Sequence, residues 1–111
     1  MNNTLALFDL DHTLIPADSD LCWTNFLIDK GVIEKENTRA NENFFTQYND
    51  GCLDIFEFLS FQLKPLSKIP RSKLNFLRNE FIEKSILPII TPKAKEVVNN
   101  HLGSGELCAI V

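Results

Sequence analysis

Short apolar runs near the two ends of the chain enclose a longer segment in which apolar residues recur at helical spacing. The first run is Leu5-Ala6-Leu7-Phe8, and the second begins at Leu107. Runs of four to eight apolar residues are typical of buried strands and are too short for buried helices. The pattern therefore predicts an α/β protein in which two strands flank a helical segment.

The central segment predicts four helices with identifiable starts and stops. The first follows Asp18-Ser19 and ends at Gly31, and the second spans about residues 34–49. The third opens at Asp54 with a variant of the capping box and ends before Pro65, and the fourth spans about residues 71–84. The positions expected to face inward are Ala40, Phe44 and Tyr48 in the second helix, Ile55, Phe58, Leu59 and Leu63 in the third, and Leu74, Leu77 and Phe81 in the fourth.

A fifth helix is predicted to begin at Thr91-Pro92, with threonine as its N-cap and proline in its first turn. We expect its inward positions to be Ala94, Val97, Val98 and Leu102. His101, close to the end of this helix, is predicted to be a surface residue favoured by the helix dipole.

Two carboxylates, Asp9 and Asp11, follow the first strand directly. Residues two apart in an extended backbone lie on the same side, so both carboxylates are predicted to share one side and His12 to point away without a catalytic role. Ligands of open α/β sheets bind outside the carboxyl ends of the strands. Thr13 is expected to cap the turn and fix the loop, which makes this stretch the candidate site.

Two aspartates at this spacing also occur in loops that have no catalytic role. Aspartates are frequent in plain turns because their side chains bond to nearby backbone amides, and for the pair taken alone this interpretation stays open. The apolar strand before the pair and Thr13 after it favour a functional site. A calcium loop of the EF-hand type is excluded, because Leu14 and Asp20 stand where glycine and glutamate are needed.

The balance of charge favours a cation site and argues against a nucleic-acid surface. The 111 residues carry a net charge of −4, and no basic residue precedes Lys30. The three cysteines have no zinc-ligand spacing and are expected to be reduced. The sequence contains no signal-peptide pattern and no membrane-spanning apolar run, so we expect a cytoplasmic protein with no membrane partner.

The segment Phe-Asp-Leu-Asp-His-Thr-Leu from Phe8 matches motif I of the haloacid dehalogenase (HAD) superfamily, Asp-x-Asp-x-Thr after an apolar strand. With Asp18-Ser19-Asp20 and a tryptophan following, the chain resembles the phosphoserine-phosphatase-like branch, subfamily IB. The resemblance implies an α/β fold: a HAD-like Rossmannoid parallel sheet with an inserted C1-type four-helix cap. It also implies that residues 1–17 and 86–111 belong to the core and residues 18–85 to the cap.

The resemblance implies a Mg²⁺-dependent phosphatase acting on a small phosphorylated metabolite. Asp9 would be the nucleophile that forms an aspartyl-phosphate, Asp11 the general acid and base, and both would bind Mg²⁺, with Thr13 structural. The chemistry is reasonable, because a carboxylate nucleophile and a phosphate dianion repel each other unless a cation lies between them.

Aligned on the turn from Gly51 to Asp54, Asp18 corresponds to the substrate-facing glutamate of phosphoserine phosphatases and Gln62 to their carboxylate-binding arginine. Glutamine cannot replace the bidentate guanidinium, so phosphoserine is not the expected substrate. We therefore expect Asp18 and Gln62 to bind a different phosphorylated metabolite.

The resemblance runs from motif I to the start of the strand that would carry motif II, and motifs II to IV would lie beyond Val111. The chain is thus expected to be the N-terminal, truncated part of a longer core, inactive alone, and prone to self-associate through the uncovered edge of its first strand. The alternative from another class is a degenerate, non-catalytic HAD-like helical module with a binding or structural role.

Overall fold

The computed structural model describes residues 3–111. In chain order the strands and helices are β1 (Leu5–Phe8), α1 (Ser19–Asp29), α2 (Asn37–Asn49), α3 (Ile55–Leu63), α4 (Arg71–Phe81), α5 (Pro92–Gly103) and β2 (Leu107–Ile110). Short 3₁₀ turns occur at Pro65–Lys68 and Leu87–Ile89, and a π-helical turn at Ile82–Ile86. No helix of this part of the chain is both long and apolar enough to cross a membrane.

The chain divides into two compact units. The first unit comprises the residues up to Ser19 together with Ile82–Val111, and the second comprises Asp20–Phe81. The first therefore contains β1, α5 and β2, and the second contains α1 from its second residue onward together with α2, α3 and α4. The predicted assignment of residues 18–85 to a cap stays a prediction.

The first unit contains a two-stranded parallel sheet. Its register pairs Leu5 with Leu107 and Phe8 with Ile110, and the backbone N–H of Val111 donates to the carbonyl of Phe8 at 2.8 Å. Both strands were predicted from the sequence, but the expectation that they are buried is wrong. Within residues 3–111, Leu5 is 53% exposed and its partner Leu107 is 71% exposed. Burial alternates along β1, so one face of this strand remains accessible.

Helix α5 begins as its sequence predicts. The hydroxyl oxygen of Thr91 accepts a 3.1 Å hydrogen bond from the backbone N–H of Ala94, which is the expected N-cap contact. Ala94 is buried, whereas Leu102, predicted to face inward, is 53% exposed. The His101 side chain remains 44% exposed, in keeping with its predicted surface position. Its Nδ1 atom bonds to the carboxylate of Glu106, and its ring packs edge to face with that of Phe8, with centroids 5.6 Å apart.

The ends of the helices in the second unit agree with the sequence at Asp54 and Gly31 and differ from it in α2 and α4. The carboxylate of Asp54 caps α3 by accepting from the amides of Phe56 and Glu57. Gly31 adopts a φ of 74° after α1, a left-handed conformation that glycine enters without strain. Helix α2 begins three residues later than the predicted start at 34. Helix α4 ends at Phe81, before the predicted end at about residue 84, and a π-helical turn follows it directly.

Aromatic rings form the core of the second unit, as expected for an aromatic-rich helical segment. One group contains Trp23, Phe26 and Phe81, and another contains Phe44, Phe45, Phe58 and Phe61, with neighbouring ring centroids 5.1–5.9 Å apart. The predicted inward faces are partly wrong. Four of the predicted inward positions are exposed, namely Tyr48, Ile55, Leu59 and Leu63.

Polar side chains take some of the buried positions of the second unit. Asn41 of α2 and Thr24 of α1 are fully buried, and Gln62 of α3 is 8% exposed. The side-chain polar atoms of Asn41 and Thr24 have no hydrogen-bond partner within residues 3–111. Helix α3 is apolar on most sides, so its hydrophobic pattern cannot specify which face is buried.

Candidate active site

The loop that follows β1 folds back on the carbonyl oxygen of Leu10. This oxygen accepts hydrogen bonds from the backbone N–H groups of Thr13, Leu14 and Ile15 at 3.0–3.2 Å. Leu14 and Ile15 are buried, and the carbonyl of Leu14 accepts a 3.4 Å hydrogen bond from the backbone N–H of Thr91, which anchors the far side of the loop. The tight turn therefore holds the two aspartates on a fixed backbone.

His12 adopts an unusual backbone conformation within this turn. Its φ is 54°, in the left-handed region that non-glycine residues seldom enter, and its N–H donates to the carbonyl of Ala17 at 3.2 Å. The prediction that the backbone is extended from Asp9 to His12 is thus wrong, since β1 ends at Phe8. Backbone strain of this kind is concentrated at functional sites.

Asp9 is exposed and is oriented by a neighbour in the same loop. The hydroxyl of Thr13 donates a 2.9 Å hydrogen bond to Oδ2 of Asp9. A carboxylate held by one oxygen loses rotamer freedom before it meets a ligand, which lowers the entropic cost of binding or attack.

Asp11 is half-buried and is held by a different group. Its Oδ1 atom accepts a 2.9 Å hydrogen bond from the backbone N–H of Ser19, the first residue of α1. A negative charge at a helix N-terminus is stabilised by the exposed N–H groups and by the helix dipole. The two carboxylates therefore have separate supports, one from a hydroxyl and one from a helix end.

The donor set of this loop fits Mg²⁺. No group of three or more His, Cys, Asp or Glu side chains that could hold a metal ion occurs between residues 3 and 111. Mg²⁺ is usually held by only one or two carboxylates, and waters and substrate phosphate oxygens complete its octahedral shell. Asp9 and Asp11 supply oxygen donors of that kind.

Asp18 and Gln62, the predicted substrate-binding residues, belong to different units. Asp18 is half-buried and directly precedes α1. Gln62 is buried within the second unit, where its Nε2 atom donates to Oδ1 of Asp20 at 3.4 Å. The assignment of Asp18 and Gln62 to substrate binding stays a prediction.

Sequence reasoning missed three features of this region: the partnership of Gln62 with Asp20, the support of Asp11 by Ser19, and the left-handed turn at His12. Asp20 lies two residues from Asp18 in the same acidic segment. That spacing does not indicate which of the two carboxylates accepts the hydrogen bond from Gln62 of α3. The Asp11 contact depends on where α1 begins, and Ser19 as a candidate cap residue was the available signal.

Comparison with known proteins places these residues in a family. The model of the haloacid dehalogenase-like hydrolase family matches residues 6–111, a range that includes Asp9, Asp11 and Thr13. The chain therefore belongs to the haloacid dehalogenase-like hydrolases.

Two relatives extend the comparison. The chain is 41% identical over 108 residues to a histidinol-phosphatase of Neisseria meningitidis serogroup C (strain 8013), covering 96% of this chain and 49% of that protein. It is 39% identical to a protein of unknown function from Bordetella pertussis Tohama I, whose crystal structure it matches with a TM-score of 0.84 over all of this chain and 51% of that one. The chain thus spans about half the length of either relative.

Proposed function

We propose that the whole protein carrying this chain is a phosphatase that hydrolyses histidinol phosphate or a closely similar amino-alcohol phosphate. The observation that carries the proposal is the pair of separately supported carboxylates after β1, Asp9 on Thr13 and Asp11 on the N–H of Ser19. The likeness to a histidinol-phosphatase supports the choice of substrate. Because the chain spans about half of that relative, the activity is proposed for the whole protein.

The proposed reaction proceeds in two displacements. An oxygen of Asp9 attacks phosphorus, the bond from phosphorus to the ester oxygen breaks, and protonated Asp11 donates its proton to the leaving alcohol. Water then attacks the aspartyl-phosphate, and Asp11 accepts a proton from that water as phosphate leaves and the Asp9 carboxylate is restored. Mg²⁺, held by Asp9 and Asp11, would neutralise the charge of the nucleophile and of the phosphate.

The second unit favours a substrate whose groups other than the phosphate include no carboxylate. Histidinol phosphate carries an ammonium group and an imidazole, whereas phosphoserine carries an ammonium group and a carboxylate. Gln62, which stands where the phosphoserine-phosphatase pattern has arginine, is bonded to a carboxylate of the chain itself, Asp20. An amide and a carboxylate offer no charge partner to a substrate carboxylate. We propose that Gln62 and Asp18 contact the substrate, and that residues 18–85 form the C1-type cap of a subfamily IB enzyme.

A substrate panel tests this function. The whole protein is assayed with Mg²⁺ against histidinol phosphate, phosphoserine and other small phosphate esters. We expect histidinol phosphate to give the highest kcat/KM. A highest value for phosphoserine would overturn the substrate assignment, and no hydrolysis of any ester would favour the non-catalytic alternative.

Substitution of Gln62 tests the specificity argument separately. Gln62→Arg is expected to raise kcat/KM for phosphoserine relative to that for histidinol phosphate, because it introduces a charge partner for a carboxylate. Gln62→Leu is the control: it removes the contact with Asp20 without adding charge, so the preference is expected to stay with histidinol phosphate. Equal ratios in the two variants would exclude a charge effect at this position.

A further inference from the structure

An open surface cavity of about 280 Å³ is formed by residues of the second unit, none of which is assigned to hydrolysis. It is lined by Asn37 at the start of α2, Ser60 and Phe61 of α3, and Lys64, Pro65 and Lys68 that follow. This volume is close to the lower end of small-molecule sites, so the cavity is large enough for a compact metabolite.

Two lysines give the cavity its charge. Lys64 and Lys68 are four residues apart on consecutive turns, and neither forms an ion pair with any residue from 3 to 111. The chain has 15 acidic residues against 11 basic ones, so a shortage of carboxylates does not explain why these two lysines form no ion pair. Two like charges that border one cavity repel each other, and an anion between them would convert this repulsion into attraction.

The remaining lining residues add polar and apolar contacts. The amide of Asn37 and the hydroxyl of Ser60 can donate hydrogen bonds to an anion. Phe61 and Pro65 supply an apolar wall, and the ring of Phe61 is supported by Phe44 at a centroid distance of 5.1 Å. The lining thus matches a ligand with a compact anionic group and a flat or apolar group attached to it.

The cavity uses a different part of α3 from Gln62. The buried residues of α3 are Phe58 and Gln62, one turn apart, whereas Ser60 and Lys64 are exposed and border the cavity. None of the six lining residues is a proposed nucleophile, proton carrier or substrate contact.

We propose that this cavity binds a small organic phosphate or phosphonate dianion, with the anionic group between Lys64 and Lys68 and the apolar group against Phe61 and Pro65. Lysine binds phosphate as a point charge, and two lysines match the charge of a dianion. The site is independent of the proposed hydrolysis and does not require the proposed substrate.

Phenylphosphonate is a suitable probe, because its carbon–phosphorus bond resists phosphatases and its ring can pack on Phe61. The full-length protein is labelled with ¹⁵N and kept free of Mg²⁺ by a chelator. It is titrated with phenylphosphonate at a pH above the second pKa of the phosphonate, so that the probe is a dianion. We expect saturable amide shifts at Asn37, Ser60, Lys64 and Lys68. The neutral analogue benzyl alcohol is expected to give no saturable shifts there, and inorganic phosphate to bind more weakly for lack of the ring.

Two matched double variants distinguish a specific binding site from general electrostatic attraction between the probe and the protein. Combined Lys64→Gln and Lys68→Gln substitutions are expected to raise Kd at least about tenfold, since each charge-assisted contact is worth roughly that factor. Combined Lys93→Gln and Lys95→Gln substitutions change the net charge equally on α5, outside the lining of the cavity, and should leave Kd within about twofold, because salt screens exposed charges that do not contact the ligand. Circular dichroism verifies that both variants fold.

Three results would overturn the proposal: shifts that do not saturate, equal weakening in the two double variants, or saturable shifts confined to residues around Asp9 and Asp11. The Asp9→Asn variant separates this proposal from the function proposed above. It should lose hydrolysis and keep the phenylphosphonate titration unchanged, so failure of one proposal is distinguishable from failure of the other.

Discussion

The hydroxyl of Thr13 donates a 2.9 Å hydrogen bond to Oδ2 of Asp9, four residues before it in the same turn. The backbone N–H of Thr13 is bonded to the carbonyl of Leu10, so the residue that orients the carboxylate is itself fixed by the loop. One threonine thus connects the shape of the loop to the direction of the proposed nucleophile.

Replacing Thr13 by valine is expected to lower kcat of the whole enzyme about 10-fold to 100-fold, since a hydrogen bond to a charged group contributes about 1.5–3 kcal/mol. Valine has nearly the shape of threonine, so the loop should stay folded. Thr13→Ser retains the hydroxyl and serves as the control, with activity close to that of the parent. Steady-state kinetics with histidinol phosphate measures both, and equal loss in the two variants would point to loop packing rather than to the hydrogen bond.

Asp9→Asn is expected to abolish turnover, because an amide cannot form the acyl-phosphate that the proposed mechanism requires. Mg²⁺ binding should weaken less, since the amide oxygen of asparagine remains a possible ligand. Asp11→Asn should lower kcat by about 10²–10⁴-fold through loss of general acid–base catalysis. Asp29→Asn, at the exposed end of α1, is the matched control. Activity of Asp9→Asn above about one hundredth of the parent rate would contradict its role as nucleophile.

Features that depend only on residues close together in the sequence were predictable from it. Asp54 and Thr91 cap α3 and α5 through bonds to amides two or three residues ahead, and such contacts depend only on nearby sequence. Gly31 adopts the left-handed conformation expected after a helix. Motif I likewise identified the loop that holds Asp9 and Asp11, because the residues that carry the motif are consecutive.

The features that depend on distant parts of the chain were not predictable. Leu5 and Leu7 form an apolar run, but whether a strand face is covered depends on which elements pack on it. The burial of Asn41 and Gln62 depends on how helices distant in sequence pack together, and hydrophobic spacing in a single helix does not contain that information. The left-handed φ of His12 occurs where the loop closes onto the carbonyl of Leu10, and hydrophobic spacing contains no sign of it.

Asn41→Leu is expected to stabilise the second unit. Asn41 is fully buried, and neither of its amide atoms has a hydrogen-bond partner within residues 3–111. Burying an amide without a partner costs about 1–3 kcal/mol, and leucine has the same branched arrangement of heavy atoms without polar atoms. The free energy of unfolding should therefore rise by about that amount.

Denaturant unfolding of the whole protein, followed by circular dichroism, measures this change. Asn75→Leu, on an exposed position of α4, is the matched control and should shift the free energy of unfolding by no more than about 0.5 kcal/mol. A loss of stability in Asn41→Leu would show that the buried amide has a hydrogen-bond partner in solution.

The 111-residue chain by itself is expected to self-associate through β1. This strand pairs with β2 along one edge, and no other strand of residues 3–111 pairs with it. Its exposed side chains, Leu5 and Leu7, are more than half accessible to solvent. An apolar strand with a free hydrogen-bonding edge is a template for pairing with another copy of the chain. Sedimentation velocity of the purified chain should therefore detect oligomers, while circular dichroism shows intact helices.

Leu7→Lys tests the cause of this association, because a lysine on an edge strand opposes pairing with a second copy. We expect this variant to shift the chain towards monomer. Leu102→Lys makes the same chemical change at an exposed position of α5 and should leave the oligomers in place. Neither chain should hydrolyse p-nitrophenyl phosphate in a Mg²⁺-dependent manner above a buffer control, because Asp9 and Asp11 alone offer the phosphate no cationic side chain and the metal few ligands. A monodisperse monomer with turnover that depends on Asp9 would contradict both the association surface and the proposal that catalysis needs the whole protein.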